Sequence, residues 1–151
     1  KLVATQGFDV WSVDLSSVGV AKTLKLAEAH GVTVQAMVGD LADYVIEPDT
    51  WDVIVSIFAH TPHPIRRRIH RQVVEGLRDG GVFLLEAYTP DQIALGTGGP
   101  KDSSRLPTIE LLADELSGLQ FDRLHEVTRD VIEGSFHTGR AAVVQVVARR
   151  K

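Results

Sequence analysis

The feature that most constrains this chain is its ending. Phe121 to Ile132 and Arg140 to Arg149 are two β-rich runs joined only by Glu133 to Gly139 (EGSFHTG), seven residues. A parallel return to the same sheet needs about a dozen residues or more, so the link cannot hold a crossover helix and the two runs must be antiparallel neighbours. Everything before them alternates. Phe8 to Leu15 is apolar and β-rich and runs into Ser16-Ser17, residues suited to capping a helix. Val18 to His30 places Val20, Ala21, Leu24 and Ala27 along one helical stripe, and Gly31 supplies the stop. Val32 to Val38 and Trp51 to Phe58 read as parallel, buried strands, the second a continuous apolar run expected to be covered on both faces. Pro62 and Pro64 open a helix in which Ile65, Ile69, Val73 and Leu77 recur every four residues until Gly80-Gly81. Val82 to Tyr88 is another buried strand, Thr89 to Arg105 a long loop with no regular structure, and Pro107 to Leu116 a last helix. The sum is an α/β chain: a mostly parallel sheet with helices on both faces and a C-terminal antiparallel hairpin.

At 151 residues and 44% apolar, the chain suits one compact domain over 1–151. The absence of cysteine rules out a disulfide scaffold, a thiolate metal site and cysteine nucleophile chemistry, and it fits a cytoplasmic location. A net charge of -4 provides no basic field to gather nucleic acid. Apolar runs fall far short of the roughly 20 residues of a membrane span, and no secretory signal opens the sequence, so neither nucleic acid nor membrane is an expected partner.

Three predicted parallel strands end in polar groups: Asp14, Asp40, and the segment Ser56 to His60. Strand carboxyl ends line the ligand crevice of open α/β sheets. A carboxylate there offers two acceptor oxygens to the adjacent hydroxyls of a ribose, and Asp14 is placed for that; it could equally cap the following helix. Asp40 has a parallel alternative as a turn residue after Gly39. His60, at a strand end, is positioned to orient an acceptor or act as general base. His60, His63 and His70 lack the HExxH spacing of a helical zinc site, so no metal is expected. Arg66, Arg67, Arg68 and Arg71 read as the solvated face of an amphipathic helix. Gly96 to Pro100 comes too late for a phosphate cradle, has Lys101 where a third glycine would stand, and reads as a flexible loop. Tyr88, His137 and Arg140 are acceptor-pocket candidates by location, with a core role the favoured alternative for Tyr88.

The series VDLSSVGVAKTLKLAEAHG, VGDLADY, WDVIVSIFAH, GGVFLLEAYTP and SFHTGRAAVVQVVARR resembles class I S-adenosylmethionine-dependent methyltransferases, nearest to their tellurite-resistance and thiopurine-methyltransferase-like small-molecule branch. The resemblance covers nearly the whole chain and implies a Rossmann-like methyltransferase fold, S-adenosylmethionine as cofactor and a small-molecule methyl acceptor. It implies that Asp14 holds the ribose hydroxyls with Leu15 near the adenine, and that Asp40 accepts from the adenine amino group with Leu41 against the ring. Ser56, Phe58 and His60 would lie where a strand end meets the methionine moiety and the acceptor, His60 being the catalytic candidate. The family's first strand and glycine-rich loop should precede Lys1, and Lys1 to Gly7 looks like the tail of the helix that follows them. That strand is central in the family, so two strands here are expected to keep unpaired backbone. Upstream residues are accordingly expected in the native protein, and a homodimer could cover the gap. The rival expectations are a catalytically silent, dimerising α/β module, and a dinucleotide oxidoreductase fragment that parallel pairing within 121–149 would revive.

Overall fold

A computed structural model describes residues 3–132 and 138–151. The chain divides into two compact units, Lys1–Val45 and Ile46–Lys151. In the first, strand β1 (Trp11–Asp14) and strand β2 (Gln35–Val38) pair in parallel, with Asp14 opposite Val38. Helix α1 (Ser17–Ala29) connects them. Ser16 caps α1, its Oγ accepting from Gly19 N at 3.1 Å, and the helix ends where Gly31 adopts φ +64°. Its Ala27 packs with Ala4 and Val34, the buried centre of this unit, with Val10, Val32 and Ala36 around them.

The second unit is a four-stranded sheet in the order β3 (Trp51–Ile57), β4 (Leu77–Tyr88), β6 (Thr138–Arg150), β5 (Leu119–Ile132). β3 runs parallel to β4, while β6 is antiparallel to both β4 and β5. The C-terminal pair is thus antiparallel, with Val131 opposite Gly139 and Leu119 opposite Arg150. Helix α2 (His63–Gly76) and helix α4 (Ile109–Glu115) cover one face. Val73, Leu112 and Leu116 there pack on Phe83, Leu85 and Ala87 of β4 and on Val144, Val146 and Ala148 of β6. The alternation along β4 and β6 sends every second apolar side chain into this core.

The structure departs from expectation in four places. α2 ends at Gly76 rather than at Gly80-Gly81, because Leu77 is already extended (ψ 143°) and pairs with Trp51. β3 is parallel but not covered on both faces: it is the edge of its sheet, and Val53, Val55 and Ile57 are exposed. β2 likewise has both end residues exposed. The stretch from Thr89 to Arg105 is not structureless, since it contains helix α3 (Gln92–Leu95) and a 3-10 turn at Ser103–Arg105. Among the described residues, no helix is long and apolar enough to cross a membrane.

Candidate functional site

The two aspartates fall at the same end of the β1–β2 pair. Gly39 N donates to Asp14 O at 3.0 Å, so Asp14 closes one strand and Asp40 lies just past the end of its neighbour. Both side chains also serve their own turns: Asp14 Oδ1 accepts from Ser16 N at 2.8 Å, and Asp40 Oδ1 accepts from Ala42 N at 2.8 Å. Helix capping, the competing role for Asp14, is performed by Ser16 instead. Among the described residues, each aspartate keeps its Oδ2 without a hydrogen bond, and both are exposed. The first turn of α1 closes on that free oxygen, since a Cβ at Gly19 would stand 2.9 Å from Asp14 Oδ2. Only a glycine leaves this oxygen room. Leu15 is exposed and Leu41 half-buried beside the two acids.

In the second unit, three residues singled out by sequence come together beyond the ends of β3 and β4. The Phe58 ring stacks on Tyr88 at 4.6 Å between centroids, and the His60 ring lies parallel to Tyr88 at 5.2 Å with an interplanar angle of 3°. Phe58 holds φ +52°, a left-handed conformation that costs a bulky non-glycine residue about 1–3 kcal/mol and is usually retained where a site requires it. Its N–H donates to Glu86 O at 2.8 Å, which pins the strained residue to β4.

The geometry at His60 revises its expected role. Its Nε2 accepts the backbone N–H of Tyr88 at 3.0 Å, so the ring proton of the neutral imidazole sits on Nδ1. The lone pair that a general base would use is already committed, and the arrangement makes His60 a positioning residue for Tyr88. Ser56 is half-buried within β3, opposite Leu85, whose side chain belongs to the core under α2 and α4. Tyr88 is 2% exposed and packs with Leu106, Val131, Ala141 and Val143. Arg140 is exposed on β6 opposite Asp130, and its carbonyl accepts from Thr97 Oγ1 at 2.6 Å. His137 lies outside the described residues.

Sequence reasoning missed the residues that close over Tyr88. Gln92, fully buried, donates through Nε2 to Thr97 Oγ1 (2.9 Å) and Gly98 O (3.1 Å), and its Oε1 accepts from Ala142 N (2.9 Å). This clasp lays Gly99 on the Tyr88 ring so closely that a Cβ would come within 2.6 Å of it, at a φ of +84° that itself favours glycine. The glycines expected to loosen this loop instead let it pack. Beside it opens a cavity of about 210 Å³ whose polar lining includes Thr89, Asp91, Glu126 and Thr128. The alternation of Glu126 and Thr128 along β5 is the only sequence signal for it.

A further correction concerns the arginines of α2. Arg66 is 4% exposed, not solvated: its Nε and Nη2 donate to the Glu115 carboxylate at 3.0 Å, and His70 Nδ1 lies 2.7 Å from the same group. Of the three histidines, His60 sits at Tyr88, whereas His63 Nε2 (3.5 Å) and His70 Nδ1 (2.7 Å) both approach the Glu115 carboxylate.

Comparison with known proteins agrees with this architecture. No curated protein matches the chain in sequence. Among solved structures it is similar to TehB from Haemophilus influenzae, with a TM-score of 0.77 at 19% identity over 98% of this chain and 52% of that one. This chain thus spans about half the length of TehB. It is also similar to a SAM-dependent methyltransferase from Methanosarcina mazei (TM-score 0.75, 14% identity, 98% and 84% covered). A third likeness is to the N-methyltransferase NodS from Bradyrhizobium japonicum (TM-score 0.68, 10% identity, 94% and 73% covered). At such identities these likenesses establish the α/β methyltransferase-like fold with its C-terminal antiparallel strands. Residues 1–81, more than half of the chain and including Asp14, Asp40, Phe58 and His60, match the family described as Methyltransferase domain. On that match, the chain belongs to the methyltransferase domain family.

Proposed function

We propose that this protein transfers a methyl group from S-adenosylmethionine to a small-molecule acceptor. The observation that carries the reading is the pair of aspartates at one end of β1 and β2, each with an unengaged carboxylate oxygen. Those acceptors suit a nucleoside, whose ribose hydroxyls and adenine amino group donate. Asp14 Oδ2 would accept from the ribose hydroxyls, and Asp40 Oδ2 from the adenine amino group, while Leu15 and Leu41 supply apolar contact to the ring. When bound, the cofactor supplies a methyl group already activated by a sulfonium charge, so no universal acid or base is required of the protein. What remains for the chain is orientation and exclusion of water. Within the second unit Phe58 stacks on Tyr88, His60 fixes Tyr88 through its backbone N–H, and the Gln92 clasp keeps the glycine loop closed on that ring. The cavity beside Thr89 is the proposed acceptor pocket, and Arg140, two residues before Ala142 of its lining, is a further acceptor candidate.

Calorimetric titration of the full-length protein with S-adenosylhomocysteine tests the reading. The wild type is expected to bind, and Asp14→Ala to weaken binding about 10-fold or more, since a hydrogen bond to a charged group contributes about 1.5–3 kcal/mol. Folded wild-type protein that gives no heat at millimolar ligand would overturn it.

One observation favours a second reading, a catalytically silent α/β module that dimerises. The sheet order ends at β3 with Val53, Val55 and Ile57 exposed, which is the condition under which strands recruit another chain. A dimer in solution whose ligand titration is flat would select it.

A further inference from the structure

Resting on the methyl-transfer reading, we propose that the cavity beside Thr89 takes an acceptor that carries a protonated amine. The polar side chains lining it, Thr89, Asp91, Glu126 and Thr128, can all accept a hydrogen bond; two are carboxylates and none is basic. Both carboxylates are unspent. Asp91 stands at the N-terminal cap of α3, yet its side chain makes no capping hydrogen bond, and neither it nor Glu126 has an ion-pair partner among the described residues. The sheet brings no cation beside Glu126 either. Its same-face neighbours along β5 are Leu124 and Thr128, Val144 stands opposite on β6, and β5 is the outer strand. Arg140, two residues before Ala142 on β6, lies opposite Asp130, so that row adds no net charge.

A second observation, independent of the acids, is the state of Thr89. It is 2% exposed, and both its N–H (3.0 Å) and its Oγ1 (3.5 Å) donate to Ala142 O, while the Ala142 N–H is taken by Gln92 Oε1. The hydroxyl hydrogen is thus committed, and among the described residues nothing donates to the Thr89 oxygen, whose lone pairs are left for the cavity. A buried acceptor in that state calls for a donor from a ligand. A primary ammonium supplies three N–H donors and a charge opposite to that of Asp91 and Glu126. An anionic acceptor, an oxyanion included, would meet two like charges with only the Thr128 hydroxyl left among the side chains to donate. At about 210 Å³ the cavity is smaller than the roughly 300–1,000 Å³ of a drug-sized site, which limits the amine to a few carbon atoms.

The test is a set of ¹⁵N NMR titrations of the full-length protein with n-butylamine, n-butanol and butyrate, at constant ionic strength and near pH 7.5. n-Butylamine, protonated at that pH, is expected to shift the Thr89, Glu126, Thr128 and Ala142 amides saturably and to bind about 5-fold or more tightly than n-butanol, and butyrate is expected not to bind. Asp91→Asn and Glu126→Gln should each weaken the amine about 2–5-fold, the range of an exposed ion pair. Asp52→Asn, at an exposed acid paired with Arg78 outside the cavity, should leave it unchanged. The proposal is overturned if n-butylamine gives no saturable shift at about 50 mM, if n-butanol or butyrate binds as tightly, or if Asp52→Asn weakens binding as much as Glu126→Gln. S-adenosylhomocysteine binding without amine binding overturns the amine assignment and leaves the methyl-transfer reading standing. Amine binding without S-adenosylhomocysteine binding overturns the methyl-transfer reading, and the amine is then a ligand but not an acceptor.

Discussion

Glu115 shows how one carboxylate can decide a contact between two helices. Its side chain is 1% exposed, so burial opposes its ionisation. The hydrogen bonds from His70 and Arg66 and their charges outweigh that opposition and hold the carboxyl down to about 2, from an ordinary 4.5. A folded-state value below the unfolded one means that this group stabilises the protein above about pH 4.5, and that the stabilisation is lost as the pH falls toward 2. Denaturant melts across that window should show wild-type stability falling, and a flatter profile for Glu115→Gln. At pH 7, Glu115→Ala should lose about 3–5 kcal/mol, because it leaves Arg66 buried without a counter-charge. Equal acid dependence in wild type and Glu115→Gln would exclude this assignment. Nothing in the sequence separates Arg66 from Arg67 and Arg68, since a run of arginines marks a helix face without saying which member turns inward. Asp14 and Asp40 were legible because a single acid after an apolar β-run already fixes its place at the end of a strand.

Among the elements, α3 and the glycine loop after it are organised by one amide. Gln92 satisfies both of its polar ends in two separate segments, the loop at Thr97 and Gly98 and the strand at Ala142. Gln92→Leu removes these bonds and leaves the Ala142 N–H buried and unpaired, with an expected cost of about 2–3 kcal/mol. Hydrogen exchange should detect it locally, with the Ala142 amide protected in the wild type and fast in the variant. Unchanged protection there would show that the clasp does not hold the loop. This element was illegible because glycine and proline in Thr89 to Arg105 signal breaks in regular structure, whereas what orders the stretch is a partner fifty positions away. The exposure of β3 was illegible for a related reason. A continuous apolar run reports what a strand can bury, but its actual burial depends on which strands flank it. The antiparallel ending was legible because its argument needs only the length of a link.

Across the whole molecule, two compact units each present candidate site residues at strand ends: the Asp14 and Asp40 pair in one, and the Phe58, His60 and Tyr88 stack in the other. The family match covers residues of both. The central claim is that the two aspartates hold one nucleoside, which should perturb both strand ends in the same titration. The most direct measurement is a two-dimensional ¹⁵N NMR titration of the full-length protein with S-adenosylhomocysteine. The account predicts that the amides of Asp14, Leu15, Asp40 and Leu41 shift together with one dissociation constant, and that Asp14→Ala weakens the response at all of them. Saturable binding that leaves those four amides unmoved would contradict it.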